Sequence, residues 1–346
     1  MTSPVDAPEL AALRSLSARI GHSPHLIQAA GGNTSLKARD TLWIKASGAW
    51  LKDAVAEDIM VPVTMSPLLS AVESRDPAAD EPQAFTNEAL NPRRLRPSIE
   101  TTVHALMPQR VVLHVHCVHT ISLAVQADCE AEAARRLVDL RWAFVPYFRP
   151  GLPLALAIAE RLRPGVDVLV LGNHGLVVAA ETVAEAEILL RRVTMLLARP
   201  ARPAPEPDID ALRALAGNSG YSLPADIEAH GAAIDPESCR MAEAGSLYPD
   251  HVIFLGPGSV VARPGEDVAR VVERRGTAPM SILFSGIGVL MRGDAGASAH
   301  ALQRCLADVT ARVDAAAPLN YLTAAETDEL INWDAEQYRQ KLNGAA

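Results

Sequence analysis

The sequence predicts an α/β protein: a layered α/β first domain followed by a second, smaller α/β domain. Three observations carry this. The chain has 346 residues, and length over ~150 gives about two domains. Short β-branched runs alternate with helix-period runs up to about position 197, the pattern of layered strands and helices. Prolines at 200, 203, 205 and 207 then interrupt that pattern. Such a density continues neither a helix nor a central strand and reads as an extended linker. The expected division is residues 1–200, a linker at 201–210, and residues 211–346.

Composition narrows the class. Apolar residues make up 49% of the chain and charged residues 21%, the balance of a globular protein rather than a disordered one. A formal net charge of −9 leaves no basic footprint for nucleic acid or an anionic membrane. No run approaches the ~18 consecutive apolar residues of a membrane span. Met1–Gly21 lacks the basic start and apolar centre of a signal peptide. Leu10, Leu13, Leu16 and Ile20 recur there at helical spacing, with Gly21 as a stop. Cys117, Cys129, Cys239 and Cys305 are scattered and read as reduced thiols, so a cytoplasmic location is expected.

In chain order, TLWIKAS (41–47), RVVLHVH (110–116) and VDVLVLG (166–172) read as strands, being short, β-branched and bounded by turn residues. Ser98–Leu106, Cys129–Leu140, Pro153–Arg163 and Val183–Leu197 carry helical periodicity. Ser74–Asn91 reads as a surface loop. Strand order and direction are left open. The second domain echoes the first: residues 168–193 align without gaps to 281–306, and both read as strand, glycine turn, strand, acidic turn, helix. Gly288 stands where Gly175 stands, while Ile287 replaces His174. A weaker echo pairs 41–50 with 251–260. A degenerate repeat that has lost its polar site explains both echoes; the general likeness of strand–turn–helix units is the plainer alternative.

The chemistry concentrates in His114 and His116, two apart within an apolar strand. Residues i and i+2 share a face, and two imidazoles on one apolar face need a common reason, usually a metal ion. A third ligand is offered by His174, in the Gly172-Asn173-His174-Gly175 turn after a buried strand. His104 and His119 are competing histidines for which supporting or surface roles are expected, and parity turns Cys117 away from the site. Gly31-Gly32-Asn33-Thr34-Ser35 forms a turn able to cradle an anion. Lys45, Ser47, Gly48 and Ser98 could complete an oxygen-binding cup. Glu100 is the expected general base, although Ser98 and Glu100 also suit helix capping. GPGSVV and GIGVLMRG lack the third glycine of a dinucleotide fingerprint.

Taken together and in order, GGNTS, KASG, PSIE, HVH and NHG resemble the class II aldolase/adducin family over residues 8–200. The resemblance is nearest to the aldolase part of bacterial bifunctional rhamnulose-1-phosphate aldolase/short-chain dehydrogenase proteins, through WIKASG, RPSIETTVHALMP and VPYFRPG. The later LYPDHVIFLGPG and NWDAEQYRQKL segments also resemble that group, whose dehydrogenase module is expected to be absent here. The resemblance implies a class II aldolase-like α/β/α fold. It implies His114, His116 and His174 as ligands of Zn2+ or another divalent transition metal, and Glu100 as catalytic acid/base and ligand at the open site. Gly32, Asn33, Thr34, Ser47, Gly48 and Ser98 would hold a substrate phosphate. Ile99 stands where the fuculose-phosphate aldolase type has a second serine, and Tyr147 is the candidate for that type's proton-donating tyrosine.

The implied activity is a zinc-dependent lyase of carbohydrate metabolism. It would cleave a ketose 1-phosphate, such as a deoxyhexulose 1-phosphate, to dihydroxyacetone phosphate and an aldehyde through a metal-stabilised enediolate. The partner is a small sugar phosphate, and a homo-oligomer is expected. The same ligand set also serves sugar-phosphate epimerases, decarboxylases and dehydratases on this scaffold. A non-catalytic adducin-like binding protein is the reading from another class, expected only where the histidines are lost. The second domain is expected to be non-catalytic.

Overall fold

The computed structural model describes residues 7–344, so the first six positions of the N-terminal segment and the last two of the chain lie outside it. Two compact units are present. One holds the residues up to Thr120 together with Cys129–Ala198, and the other holds Ile121–Asp128 and the residues from Arg199 onward.

The first unit is an α/β unit containing α1 (Ala7–Gly21), β1 (Asn33–Ala38), β2 (Thr41–Lys45), β3 (Met60–Thr64), α2 (Met65–Glu73), α3 (Thr101–Leu106) and β4 (Val111–Val115). After α4 (Val118–Ala124) come α5 (Cys129–Arg136), β5 (Trp142–Val145), α6 (Leu152–Arg161), β6 (Val168–Leu171), β7 (Gly175–Ala180) and α7 (Val183–Leu196). The strands form a seven-stranded sheet in the order β3-β2-β1-β4-β7-β6-β5. Neighbours run antiparallel except β5 and β6, which are parallel.

β4 lies at the centre, and all five of its residues are buried. A strand covered on both faces reads as an unbroken apolar run, and His114 is the polar exception within β4. Val112, Leu169 and Val177 pack with Leu154 and Ile158 of α6. Leu42, Ile44 and Val63 pack with Leu68 and Val72 of α2. α7 starts where its sequence dictates: Thr182 and Glu185 form a reciprocal capping box, which satisfies two amides that the first turn leaves open.

Three expectations about elements need correction. GGNTS is not wholly a turn, because Asn33, Thr34 and Ser35 open β1. The α5 helix stops at Arg136, short of Leu140. The weaker echo fails, since residues 249–255 form a helix whose seven residues are all buried. An uninterrupted apolar run does not distinguish strand from buried helix, and Pro249 in the first turn favours the helix.

The second unit contains α8 (Ile209–Ala216), β8 (Tyr221–Ser222), α9 (Gly231–Ile234), α10 (Pro236–Ala244), α11 (Pro249–Leu255), β9 (Val260–Val261) and α12 (Val268–Arg275). It continues with β10 (Ser281–Phe284), β11 (Gly288–Arg292), α13 (Ala297–Thr310), α14 (Ala324–Ile331) and α15 (Asp334–Gly344). Its smaller sheet has the order β8-β11-β10-β9, with Leu212, Val271, Ile282, Phe284 and Leu290 in its core.

The stronger echo reappears in the hairpin registers. Leu171 faces Gly175 and Val168 faces Val178 in one hairpin, while Phe284 faces Gly288 and Ser281 faces Met291 in the other. Asn173 and Gly286 take the same left-handed place in the two turns, with φ of 52° and 72°. The proline-rich stretch is anchored: Arg202 bonds to Asp235, Ser238 and the Thr310 carbonyl, and α8 begins inside it at Ile209. No described helix is long and apolar enough to cross a membrane.

Candidate metal centre

The centre is built where β1, β4, β7 and α3 meet. β4 runs antiparallel to both neighbours, so His114 stands opposite Asn33 on one side and Val177 on the other. His116 follows just past the strand end, and its ring centroid lies 5.0 Å from that of His114. His174 occupies the turn between β6 and β7, with ring centroids 4.8 Å from His114 and 5.2 Å from His116. The fourth side chain is Glu100, the residue that caps the N-terminus of α3.

Among the described residues, one group could hold a metal ion: Glu100, His114, His116 and His174, all buried, with ligand atoms within 4.8 Å of one another. Glu100 Oε2 lies 3.3 Å from His114 Nε2, and Oε1 lies 3.4 Å from His174 Nε2. His114 Nδ1 sits 3.1 Å from the Leu176 carbonyl. A carbonyl only accepts, so Nδ1 carries the proton and the Nε2 lone pair is left for a ligand bond. The donor set, three imidazole nitrogens and a carboxylate, could hold a divalent metal ion.

The glycines near the centre are required by close approach. A Cβ on Gly32, which has φ of 62°, would lie 2.8 Å from the His114 carbonyl oxygen. A Cβ on Gly175 would lie 2.5 Å from the Val115 carbonyl oxygen.

The remaining residues expected at the site divide into two groups. Asn33 Nδ2 donates to Glu100 Oε2 at 2.7 Å. Main-chain bonds draw the cup segments together: Ser98 N donates to the Lys45 carbonyl and Ser47 N to the Arg96 carbonyl. Lys45, almost wholly buried, donates from Nζ to the carbonyls of Ala30 and Ala49 at 2.6 and 2.9 Å, tying the glycine turn to the Ser47-Gly48 turn. Ser98 Oγ accepts from the Glu100 amide at 3.2 Å, a turn bond just ahead of the helix rather than a cap, since Glu100 is itself the N-cap of α3 and no side-chain cap bond is made there.

Thr34 is not brought to the cup. Alternation along β1 turns it to the opposite face, where its hydroxyl meets that of Ser17 on α1 at 2.7 Å. Tyr147 follows β5, and its main-chain nitrogen would lie 3.0 Å from a Cβ on Gly172, so its backbone flanks the turn that carries His174. Cys117 is buried, and His119 lies with His25, ring centroids 6.0 Å apart. The Asn33–Glu100 bond escaped sequence reasoning, and of the supporting and surface roles expected for His104 its full burial excludes the surface one. The E-x-x-x-H spacing of Glu100 and His104 was the signal available.

The model of the Class II Aldolase and Adducin N-terminal domain matches residues 13–197. The chain belongs to the class II aldolase and adducin family. The match contains all four residues of the candidate metal centre. A curated relative of the chain is the uncharacterized oxidoreductase YuxG of Bacillus subtilis (strain 168), 32% identical over 167 residues. The match takes in 44% of this chain and only 24% of that relative, so the chain spans about a quarter of its length. Among solved structures, the N-terminal class II aldolase domain of a conserved protein from Thermoplasma acidophilum is 26% identical, covering 57% of this chain and 93% of that one with a TM-score of 0.48. The L-fuculose-1-phosphate aldolase of Thermus thermophilus is 19% identical, covering 55% and 92% with a TM-score of 0.37.

Proposed function

We propose that this protein is a zinc-dependent class II aldolase that cleaves a ketose 1-phosphate, such as a deoxyhexulose 1-phosphate, to dihydroxyacetone phosphate and an aldehyde. The observation that carries the reading is the buried convergence of His114, His116, His174 and Glu100 within 4.8 Å, in a chain of the class II aldolase and adducin family. When bound there, a divalent ion supplies the Lewis acidity that stabilises negative charge developing on a substrate carbonyl.

The chain's own residues then do the following. The three imidazoles are neutral donors, and the Leu176 carbonyl fixes the tautomer of His114. Glu100 takes a proton from the substrate hydroxyl or carbon and returns it, its Oε2 oriented by the Asn33 amide. The phosphate is held by Gly32, Asn33, Ser47, Gly48 and Ser98. The Lys45 ammonium braces the two turns through Ala30 and Ala49 and brings a buried positive charge beside them. Binding at the phosphate, remote from the reacting carbons, orients them for cleavage. Tyr147 is assigned the proton donated to the aldehyde oxygen. The catalytic domain is residues 1–200, and 211–346 is a non-catalytic unit, with Ile287 at the place of His174. The working form is a cytoplasmic homo-oligomer.

The test is a panel of ketose 1-phosphates offered to chelator-stripped protein with and without Zn2+, Mn2+ or Co2+, reading released dihydroxyacetone phosphate and following products by NMR. Turnover restored by metal supports the proposal. Full turnover by stripped protein refutes the metal, and epimerised or decarboxylated products refute the aldol cleavage.

A further inference from the structure

Two parallel rungs join β1 to α3. The first is Asn33 Nδ2 to Glu100 Oε2 at 2.7 Å, and the second is Ser35 Oγ to His104 Nδ1, also at 2.7 Å. Their spacings match. Two strand residues advance about 6.7 Å, and four helical residues rise about 6 Å, so Asn33 and Ser35 can face Glu100 and His104 in the same order. One rung alone is a pivot about which a helix can roll or slide. Two rungs a full turn apart fix both its rotation and its axial position.

α3 needs such a clamp, because it has six residues and Glu100 caps it without a side-chain bond to its own first turn. β1 is itself registered on the metal strand, Asn33 opposite His114 and Ser35 opposite Val112, so the clamp locates the carboxylate relative to the imidazoles. His104 has no solvent exposure. Burial above all holds its pKa well below the usual imidazole range.

We infer that His104, acting through Ser35, is the positioning residue that sets α3 on β1 and so holds the Glu100 carboxylate between His114 and His174. The inference rests on the role given to Glu100 above, and its test is separable from that role. Ser35→Ala removes one oxygen atom, His104→Leu removes the ring nitrogens, and His104→Asn places an amide nitrogen where Nδ1 stands. Crystal structures of the metal-free proteins read the carboxylate position, visible absorption on Co2+ titration reads affinity, and thermal melting reads stability.

Ser35→Ala and His104→Leu should displace the carboxylate from His114 and His174 and weaken Co2+ binding about tenfold or more, with His104→Asn recovering most of the loss. A lower melting temperature with the carboxylate in place and Co2+ affinity unchanged would overturn the inference, leaving His104 as packing alone. Should the wild-type protein take up no Co2+, the metal reading fails, and the positions in the metal-free structures still decide the rung. If His104→Leu does not fold, Ser35→Ala carries the test.

Discussion

Glu100 sits among three histidines yet is tied down from a different direction, by the Asn33 amide at 2.7 Å. A carboxylate serving only to neutralise protonated imidazoles would need no such tether; one that transfers a proton at a defined atom does, because proton transfer demands a hydrogen-bond distance and a fixed angle. Glu100→Gln keeps the volume, can still bond to Asn33, and loses the proton acceptor. On the proposed reading, the expected outcome is a fall in kcat of about 10²–10⁴-fold at saturating divalent metal, with metal affinity weakened but not abolished because the three imidazoles remain. KM should change little, since an interaction used only in the transition state leaves ground-state binding alone. Steady-state kinetics and metal analysis of the same preparation check it. A variant that loses its metal as well would show Glu100 to be mainly a ligand.

Between elements, the decisive contact is the pairing of β4 with β7. Val115 stands opposite Leu176, and the chain entering β7 comes so close that a Cβ on Gly175 would lie 2.5 Å from the Val115 carbonyl oxygen and 3.4 Å from His114 Cε1. Neither backbone can yield without opening the register that aligns His114 with His174. Gly175→Ala should therefore destabilise the fold by about 1–3 kcal/mol and weaken metal binding too, read by urea denaturation and Co2+ titration. Stability lost with affinity intact would place the strain elsewhere. Much of this architecture was legible, because His114, His116 and His174 interrupt buried apolar runs and a polar break in such a run is a strong signal. Thr34 was not, because a GGNTS stretch does not say where turn ends and strand begins, and that boundary decides which face the hydroxyl takes. Residues 249–255 were not, because an all-buried helix lacks the polar face that reveals its period. The antiparallel order of the large sheet was not either, because pairing is set by contacts between distant segments.

Across the whole molecule, polar groups buried in the second unit make stability depend on pH. The imidazole of His251 on α11 is fully buried, and burial pushes its pKa down to about 4, with the main chain at Gly258 opposing in part. Tyr248, its ring centroid 5.8 Å away, is also driven well above its usual value by burial, so it stays neutral at acid pH and offers no charge to compensate. In the unfolded chain His251 returns to about 6.5. Between that value and about 4 the unfolded state binds a proton that the folded state refuses, so stability falls as pH falls. The loss reaches about 1.4 kcal/mol per pH unit and about 3 kcal/mol in all. For Asp235, burial alone would raise the pKa, but the Arg202 guanidinium and the Ser238 hydroxyl hold it below the usual value. Its contribution is present above the ordinary carboxylate range and is lost at lower pH, as the carboxylate titrates in the folded state. Acid should therefore act on this protein in two stages, His251 first and Asp235 below it. His251→Asn should flatten the first stage while leaving the second. Urea denaturation of both proteins at pH steps from 7 down to about 2 checks this, with the two stability curves converging toward pH 4 relative to their separation at pH 7 and running parallel below it. Parallel curves over the whole range would mean that His251 takes up its proton in the folded state as readily as in the unfolded one.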